Sequence, residues 1–357
     1  MELHSLKEIK ALKGPILVTG HTGFKGAWLS LLLRELGVET AGISLPAEKN
    51  SLYSRFNESV VGQEYFLDIR SREKLNESIQ RINPSAIFHL AAQPLVLDSY
   101  KDPVGTFETN VIGTANLLDA AFKVDTVQSI ICATTDKVYR NDEKGFSFVE
   151  SDALAGKDPY SASKVGSESA IAAWQQISAI SGGPKVIAAR AGNVVGGGDY
   201  AANRLLPDLI RGVQMGTVTE IRNPSSTRPW QHVLDPLFGY VLLLEASLKN
   251  DVQKSFNFGP SGASLDVKEV VETAKSAWPE KVQYQIVNED SRLESEKLQL
   301  NSELARTILN WNPVWSQKDS ITSTIKWWKK VISGEDSAVN ACNKDIEILG
   351  KSYELFK

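Results

Sequence analysis

Residues 16–26 read ILVTGHTGFKG, a short apolar run that opens directly into glycines at 20, 23 and 26. The run has the length and character of a buried strand, and Ala27–Leu36, stopping at Gly37, reads as the helix that follows. Glycine lets a chain turn tightly and approach a pyrophosphate closely, and a helix N-terminus presents unpaired N–H groups to an anion. A strand, a glycine turn and a helix in this order point to dinucleotide binding, with Gly20, Thr22, Gly23, Phe24, Lys25 and Gly26 as the contact residues.

Outward from this stretch the same rhythm repeats. Strand-like runs at Thr40–Ser44, Glu64–Leu67, Ala86–Leu90, Ser129–Ala133 and Val186–Ala189 alternate with helical patterns at Ser71–Ile82, Thr106–Phe122 and Tyr160–Ile180. Such alternation predicts an α/β fold, a Rossmann-type doubly wound parallel sheet. After Gly192 prolines and glycines break the rhythm. The expected division is a dinucleotide-binding domain over 1–191 and a smaller mixed α/β C-terminal substrate lobe over 192–357, with the chain free to cross back to the sheet. Trp311, Trp315, Trp327 and Trp328 read as core packing around a helix at Ile321–Ile332.

Composition narrows the function. The 357 residues carry 39 basic and 43 acidic side chains, net −4, which gives no electrostatic reason to expect nucleic acid. Four scattered histidines and two distant cysteines, Cys132 and Cys342, share no ligand-like spacing, so no metal is expected. Two cysteines also offer no disulfide framework, and no apolar run approaches the roughly 20 residues of a membrane span. The expectation is a cytoplasmic protein without a membrane segment.

Ser44, Asp68, Ile69, Leu90, Ala91 and Ala92 lie where strands end and are expected to complete the cofactor site. Asp68 can accept from the adenine amine, or equally cap the helix beginning near Ser71. Ser44, with Lys25 nearby, leans locally toward a 2′-phosphate and so toward NADP.

Tyr160-Ser-Ala-Ser-Lys164 places a phenol and an amine one helical turn apart. A nearby ammonium and a positive nicotinamide favour the phenolate, which then takes the proton of a substrate alcohol as hydride leaves. Thr135 after the fifth strand can bond the same alcohol, while Asp136 and Lys137 add an acid/base pair that a simple dehydrogenase does not need.

VTGHTGFKGAWLSLLL, HLAAQPLV, TTDK, DPYSASK, RAGNVVGGGD and IRNPSSTRPWQHVLDP together resemble the extended short-chain dehydrogenase/reductase family. The resemblance is closer to its nucleotide-sugar 4,6-dehydratases, and the lysine of TDK resembles their CDP-glucose branch. It implies tightly held NAD, a CDP-hexose or other nucleotide-sugar substrate, and a homodimer built on the helices around 106–122 and 160–180. It further implies oxidation at sugar C4 by Tyr160, Lys164 and Thr135, elimination of water across C5–C6 and return of hydride to C6. Asp136 would protonate the leaving hydroxyl. Lys137 would occupy the place of the C5 base, or act as a cation beside the enolate. Gln93, Asn193, Arg204, Arg222 and Arg228 are the expected substrate contacts, the arginines because guanidinium grips phosphate bidentately. A nucleotide-sugar 4-epimerase uses the same Tyr/Lys pair without the acid/base couple, and a non-catalytic dinucleotide sensor needs neither. The chain departs from the family pattern at Leu97-Asp98, at Ala155 and around Arg292–Gln299, all on the expected substrate side.

Overall fold

The computed structural model describes residues 6–142, 145–287 and 298–355. Most of the 292–299 stretch therefore lies outside the described residues. Seven parallel strands form one sheet: β1 (Ile16–Thr19), β2 (Thr40–Ser44), β3 (Gln63–Phe66), β4 (Ala86–His89), β5 (Ser129–Thr135), β6 (Lys185–Ala191) and β7 (Ser255–Phe258). Their spatial order is β7-β6-β5-β4-β1-β2-β3. Strands β1, β2 and β4 are buried at every residue, as a sheet covered by helices on both faces requires. The order reverses between β1 and β4, which pair in parallel from Ile16–Ala86 to Thr19–His89. In such sheets the crevice beyond the strand C-termini at this reversal is where ligands bind.

The helix that follows β1, α1 (Phe24–Glu35), begins three residues before the amphipathic pattern alone suggests, because Gly23 already serves as its N-cap. The longer helices farther along the chain include α2 (Arg72–Ile82), α3 (Gly113–Ala121) and α4 (Pro159–Ser181). Asp158 and Ser161 close a reciprocal capping box at the start of α4, with Pro159 in the first turn, so the helix start that carries Tyr160 is fixed from both sides. The helix expected over 106–122 is interrupted by a π-helical turn at Glu108–Ile112.

Past Gly192 the chain forms α5 (Leu205–Met215) and α6 (Leu234–Lys249), then returns to the sheet as β7 alongside β6. Helix α6 is buried at twelve of its residues and packs beneath the sheet, so much of its length belongs to the core rather than to a separate lobe. Small two-stranded pairings join 194–195 with 231–232, and 219–221 with 284–286. Trp311, Trp315, Trp327 and Trp328 all join the main core, and the Trp327 ring lies so close to Gly197 that a Cβ there would overlap it. Among the described residues no helix is long and apolar enough to cross a membrane.

Candidate active site

The glycine loop closes against the end of β4. Gly20 adopts φ +75°, and a Cβ on it would stand 2.8 Å from the Ala91 nitrogen. At Gly26 a Cβ would come within 2.0 Å of the Gly20 carbonyl oxygen, which fixes how tightly α1 folds back on the loop. The Gly23 N-cap provides no side-chain acceptor, so the first N–H groups of α1 face the crevice unclaimed by a cap. A pyrophosphate fits this cradle by shape and by polarity. The Leu90 and Ala91 amides donate to the Thr19 carbonyl and hydroxyl, tying the HLAA turn to β1. His89 bridges the Thr19 and Thr114 hydroxyls at 2.7 and 3.0 Å, and burial pushes its pKa down to about 3, so it stays neutral.

At the β2 end Thr22 and Ser44 share a 2.7 Å hydrogen bond, and Thr22 also donates to the Leu45 carbonyl. Lys25 does not join them. Its Nζ donates to the Tyr240 hydroxyl on α6 at 2.9 Å, so the local reading of Lys25 as a partner for a 2′-phosphate is corrected. The side chain leaves the inward side of α1, a direction the linear sequence does not reveal. The loop also holds His21, whose ring meets the Glu64 carboxylate at 3.2 Å while Tyr53 donates to the same oxygen.

Asp68 neither caps α2 nor stands open. Its carboxylate accepts from the Arg70 backbone and guanidinium, which hold its pKa below the usual range, and Ser71 occupies the N-cap position. Ile69 turns into the core against Gly113. Gln93 likewise faces inward: its amide nitrogen donates to Thr106 and its oxygen accepts from the Leu95 amide. Both ends of the amide thus have protein partners.

The residues expected to carry the chemistry converge beyond the end of β5 and at the start of α4. Tyr160 and Lys164 sit on the buried face of α4, and Thr135 and Asp136 follow from β5; all four are at most 8% exposed. Burial drives the Tyr160 phenol up to about 12; the Thr135 hydroxyl pulls it back, Asp136 pushes it up and Arg204 pulls it back. The expectation that Lys164 supplies the favourable charge is refined: its Nζ donates to the Ala133 carbonyl at 3.4 Å, and burial lowers its pKa to about 8. Burial also raises the Asp136 carboxyl, against the opposing pull of Lys137, Thr135 and Arg228. One Asp136 oxygen accepts from Thr135 at 3.1 Å; the other is buried without a protein hydrogen-bond partner and faces Gly192, where a Cβ would stand 2.9 Å away. Lys137 is half-buried beside this carboxyl.

Of the expected substrate contacts, Arg204 and Arg228 act on Tyr160 and Asp136 and so border the chamber. Arg204 also meets Asp199 of the GGGD loop at 3.1 Å. The Asn193 carbonyl accepts from the Gln231 amide, fixing the start of that loop. Arg222 is exposed and its charge acts on Asp208.

Two networks escaped the sequence reading. Asn110, in the π-turn, accepts from the Gln93 amide and donates to the Gln93 carbonyl and the Ser163 hydroxyl, while its own carbonyl accepts from Ser167. It locks α4 to the HLAAQ turn; π-turns recur at functional sites for such reasons. Glu168 forms a buried two-point pair with Arg190 at 2.9 and 2.8 Å and accepts from Thr134 at 2.6 Å. Losing one partner of such a pair costs about 3–5 kcal/mol. The available signal was spacing: Tyr160, Lys164 and Glu168 follow one another at four-residue intervals along one face.

Residues 16–259 match the family described as the NAD dependent epimerase/dehydratase family. The chain is 37% identical over 338 residues to CDP-glucose 4,6-dehydratase of Salmonella typhimurium, covering 92% of this chain and 94% of that protein. It is 26% identical to UDP-glucose 4-epimerase of Halalkalibacterium halodurans, over 88% of this chain and 95% of the relative. Among solved structures, Thermus thermophilus UDP-glucose 4-epimerase in complex with NAD superposes with a TM-score of 0.77 at 23% identity, covering 88% of this chain and 99% of the other, a likeness of fold. With the glycine cradle, the Tyr160/Lys164 pair and a match over more than half its length, the chain belongs to the NAD dependent epimerase/dehydratase family.

Proposed function

We propose that the chain is a nucleotide-sugar 4,6-dehydratase, converting a CDP-hexose to its 4-keto-6-deoxy derivative and water. The observation that carries this reading is Asp136: a buried carboxyl with a raised pKa and one unclaimed oxygen, in the same chamber as Thr135 and Tyr160. An epimerase has no step that needs such an acid. The similarity to CDP-glucose 4,6-dehydratase over most of both chains supports the same choice.

When bound in the glycine cradle, NAD supplies the acceptor for the C4 hydride and then its donor to C6. Tyr160 takes the proton of the C4 hydroxyl, with Thr135 orienting that oxygen. The C4 ketone acidifies C5–H. Asp136 then protonates the departing C6 hydroxyl, and Lys137 attends the C5 proton. Lys164 holds the cofactor from its place on α4, and Arg204 and Arg228 receive the nucleotide diphosphate.

Incubation with CDP-glucose tests the reading directly. The expected product has lost one water and carries a 4-keto group; a CDP-hexose of unchanged mass with an inverted C4 hydroxyl would establish an epimerase instead. Lys137→Met is expected to abolish exchange of deuterium into C5 while C4 oxidation stays detectable, and undiminished exchange excludes Lys137 as the base.

A cytoplasmic homodimer completes the proposal. Val104, Phe107 and Ile112 before α3, and Ile177 and Ile180 late in α4, expose 42–74% of their apolar surface on the helices expected to pair. A monomeric mass in light scattering counts against that pairing.

A further inference from the structure

Lys25 is the one ionisable side chain of the glycine loop that points into the reaction chamber, and no step above uses it. Its amine donates to the Tyr240 hydroxyl at 2.9 Å and lies 5.0 Å from the centre of the same ring. Tyr240 is wholly buried on α6, and Tyr160 and Asp136 both act on its phenol. A hydrogen bond and a ring contact therefore fix the amine between the loop that cradles a pyrophosphate and the groups that handle the substrate proton.

We propose that Lys25 sets the charge balance of this chamber: as an ammonium against Tyr240, it makes the chain prefer the reduced over the oxidised form of its nicotinamide dinucleotide. The inference rests on the dinucleotide reading of the loop and is independent of which sugar is the substrate.

The argument is Coulombic. The nicotinamide ring is a cation when oxidised and neutral when reduced, whereas the pyrophosphate charge is the same in both. A fixed cation nearby in a medium of low dielectric constant penalises the first form relative to the second. The groups facing Lys25 are Tyr240 from α6, Lys164 from α4, Arg204 at the start of α5 and Asp136 after β5. Burial, then the like charges of Lys164 and Arg204, lower its pKa to about 7, with Asp136 opposing. The amine is thus charged below about pH 7 and neutral above it, so the preference is present in mild acid and fades as pH rises.

The consequence for the cycle is specific. A dehydratase returns its hydride in every turnover, so the oxidised and reduced forms must lie close in free energy. A cation that releases its proton as pH increases makes hydride transfer from C4 less favourable and its return to C6 more favourable.

The test is the ratio of dissociation constants for NAD and NADH, measured without substrate by displacement of bound dinucleotide at about pH 6 and about pH 8.5. These values bracket the pKa of Lys25. In the wild-type chain the preference for NADH should be larger at the lower pH. Lys25→Met should reduce that preference about tenfold at the lower pH, change it little at the higher, and flatten the pH dependence down to what Lys164 contributes. Lys25→Arg, which cannot release its proton, should keep a preference for NADH at both values and vary with pH only by what Lys164 contributes. Thermal unfolding of each variant confirms that the fold is intact. A Met variant with the wild-type ratio and the wild-type pH slope overturns the proposal while leaving the cofactor reading in place. A wild-type chain that binds neither form overturns both. Normal pH-dependent binding with no CDP-glucose turnover would overturn the dehydratase reading and support the role of Lys25.

Discussion

Asp136→Asn is expected to leave C4 oxidation running and to stop water elimination, with overall turnover falling about 10²–10⁴-fold, the range of general acid catalysis. The carboxyl is fully buried, and desolvation raises its pKa before Lys137, Thr135 and Arg228 pull it back. A protonated carboxyl is what a departing C6 hydroxyl needs. The oxygen facing Gly192 has no protein hydrogen-bond partner, so it is free to hold and deliver that proton. Asparagine keeps the shape and the bond with Thr135 but has no proton to give. Mixing the variant with CDP-glucose should produce absorbance of the reduced dinucleotide without the dehydrated 4-keto-6-deoxy product. In the wild-type chain elimination should slow as pH rises through the raised pKa of Asp136, because the acid form is then lost. An Asn variant that forms the 4-keto-6-deoxy sugar at the wild-type rate removes Asp136 from the mechanism.

Tyr160→Phe should fail one step earlier. Neither reduced dinucleotide nor 4-keto product should form, again with a loss of about 10²–10⁴-fold. The phenol is buried and pushed up to about 12, and the Thr135 hydroxyl is the strongest opposing influence. A base must release its own proton before it can take another, so the oxidation step should quicken as pH rises, opposite in sign to elimination. The two slopes together predict a bell-shaped profile, and each variant should remove one limb. Because Asp136 raises the phenol, Asp136→Asn should also move the alkaline-favoured limb to lower pH. Reduced dinucleotide accumulating in Tyr160→Phe at the wild-type rate would show that another group takes the C4 hydroxyl proton.

What the sequence made legible was local. ILVTGHTGFKG announced its strand, turn and helix because glycine tolerance and apolar run length act over a few residues, and YSASK placed two side chains on one face because a helix repeats every 3.6 residues. TDK fell at a strand end, where a parallel sheet borders its crevice. What was not legible was tertiary. Gln93 and Ile69 lie beside the crevice in sequence, yet Thr106 and Gly113 draw their side chains inward. Lys25 turns to Tyr240, 215 residues away. The π-turn at Glu108–Ile112 has no sequence period of its own; Asn110 is bound there to Gln93 and Ser163, 17 and 53 residues distant. Arg222 and Arg228 stand in one motif, and only the pairing of Thr227–Arg228 with Leu265–Asp266 places the second of them in the interior.

The measurement closest to the central claim follows a single deuterium placed at C4 of CDP-glucose. If one dinucleotide takes that hydride and Tyr160, Asp136 and Lys137 serve the same bound sugar, the label appears at C6 of a 4-keto-6-deoxy product. Label recovered at C4 of an unreduced hexose, or released from the protein on exogenous dinucleotide, contradicts the account.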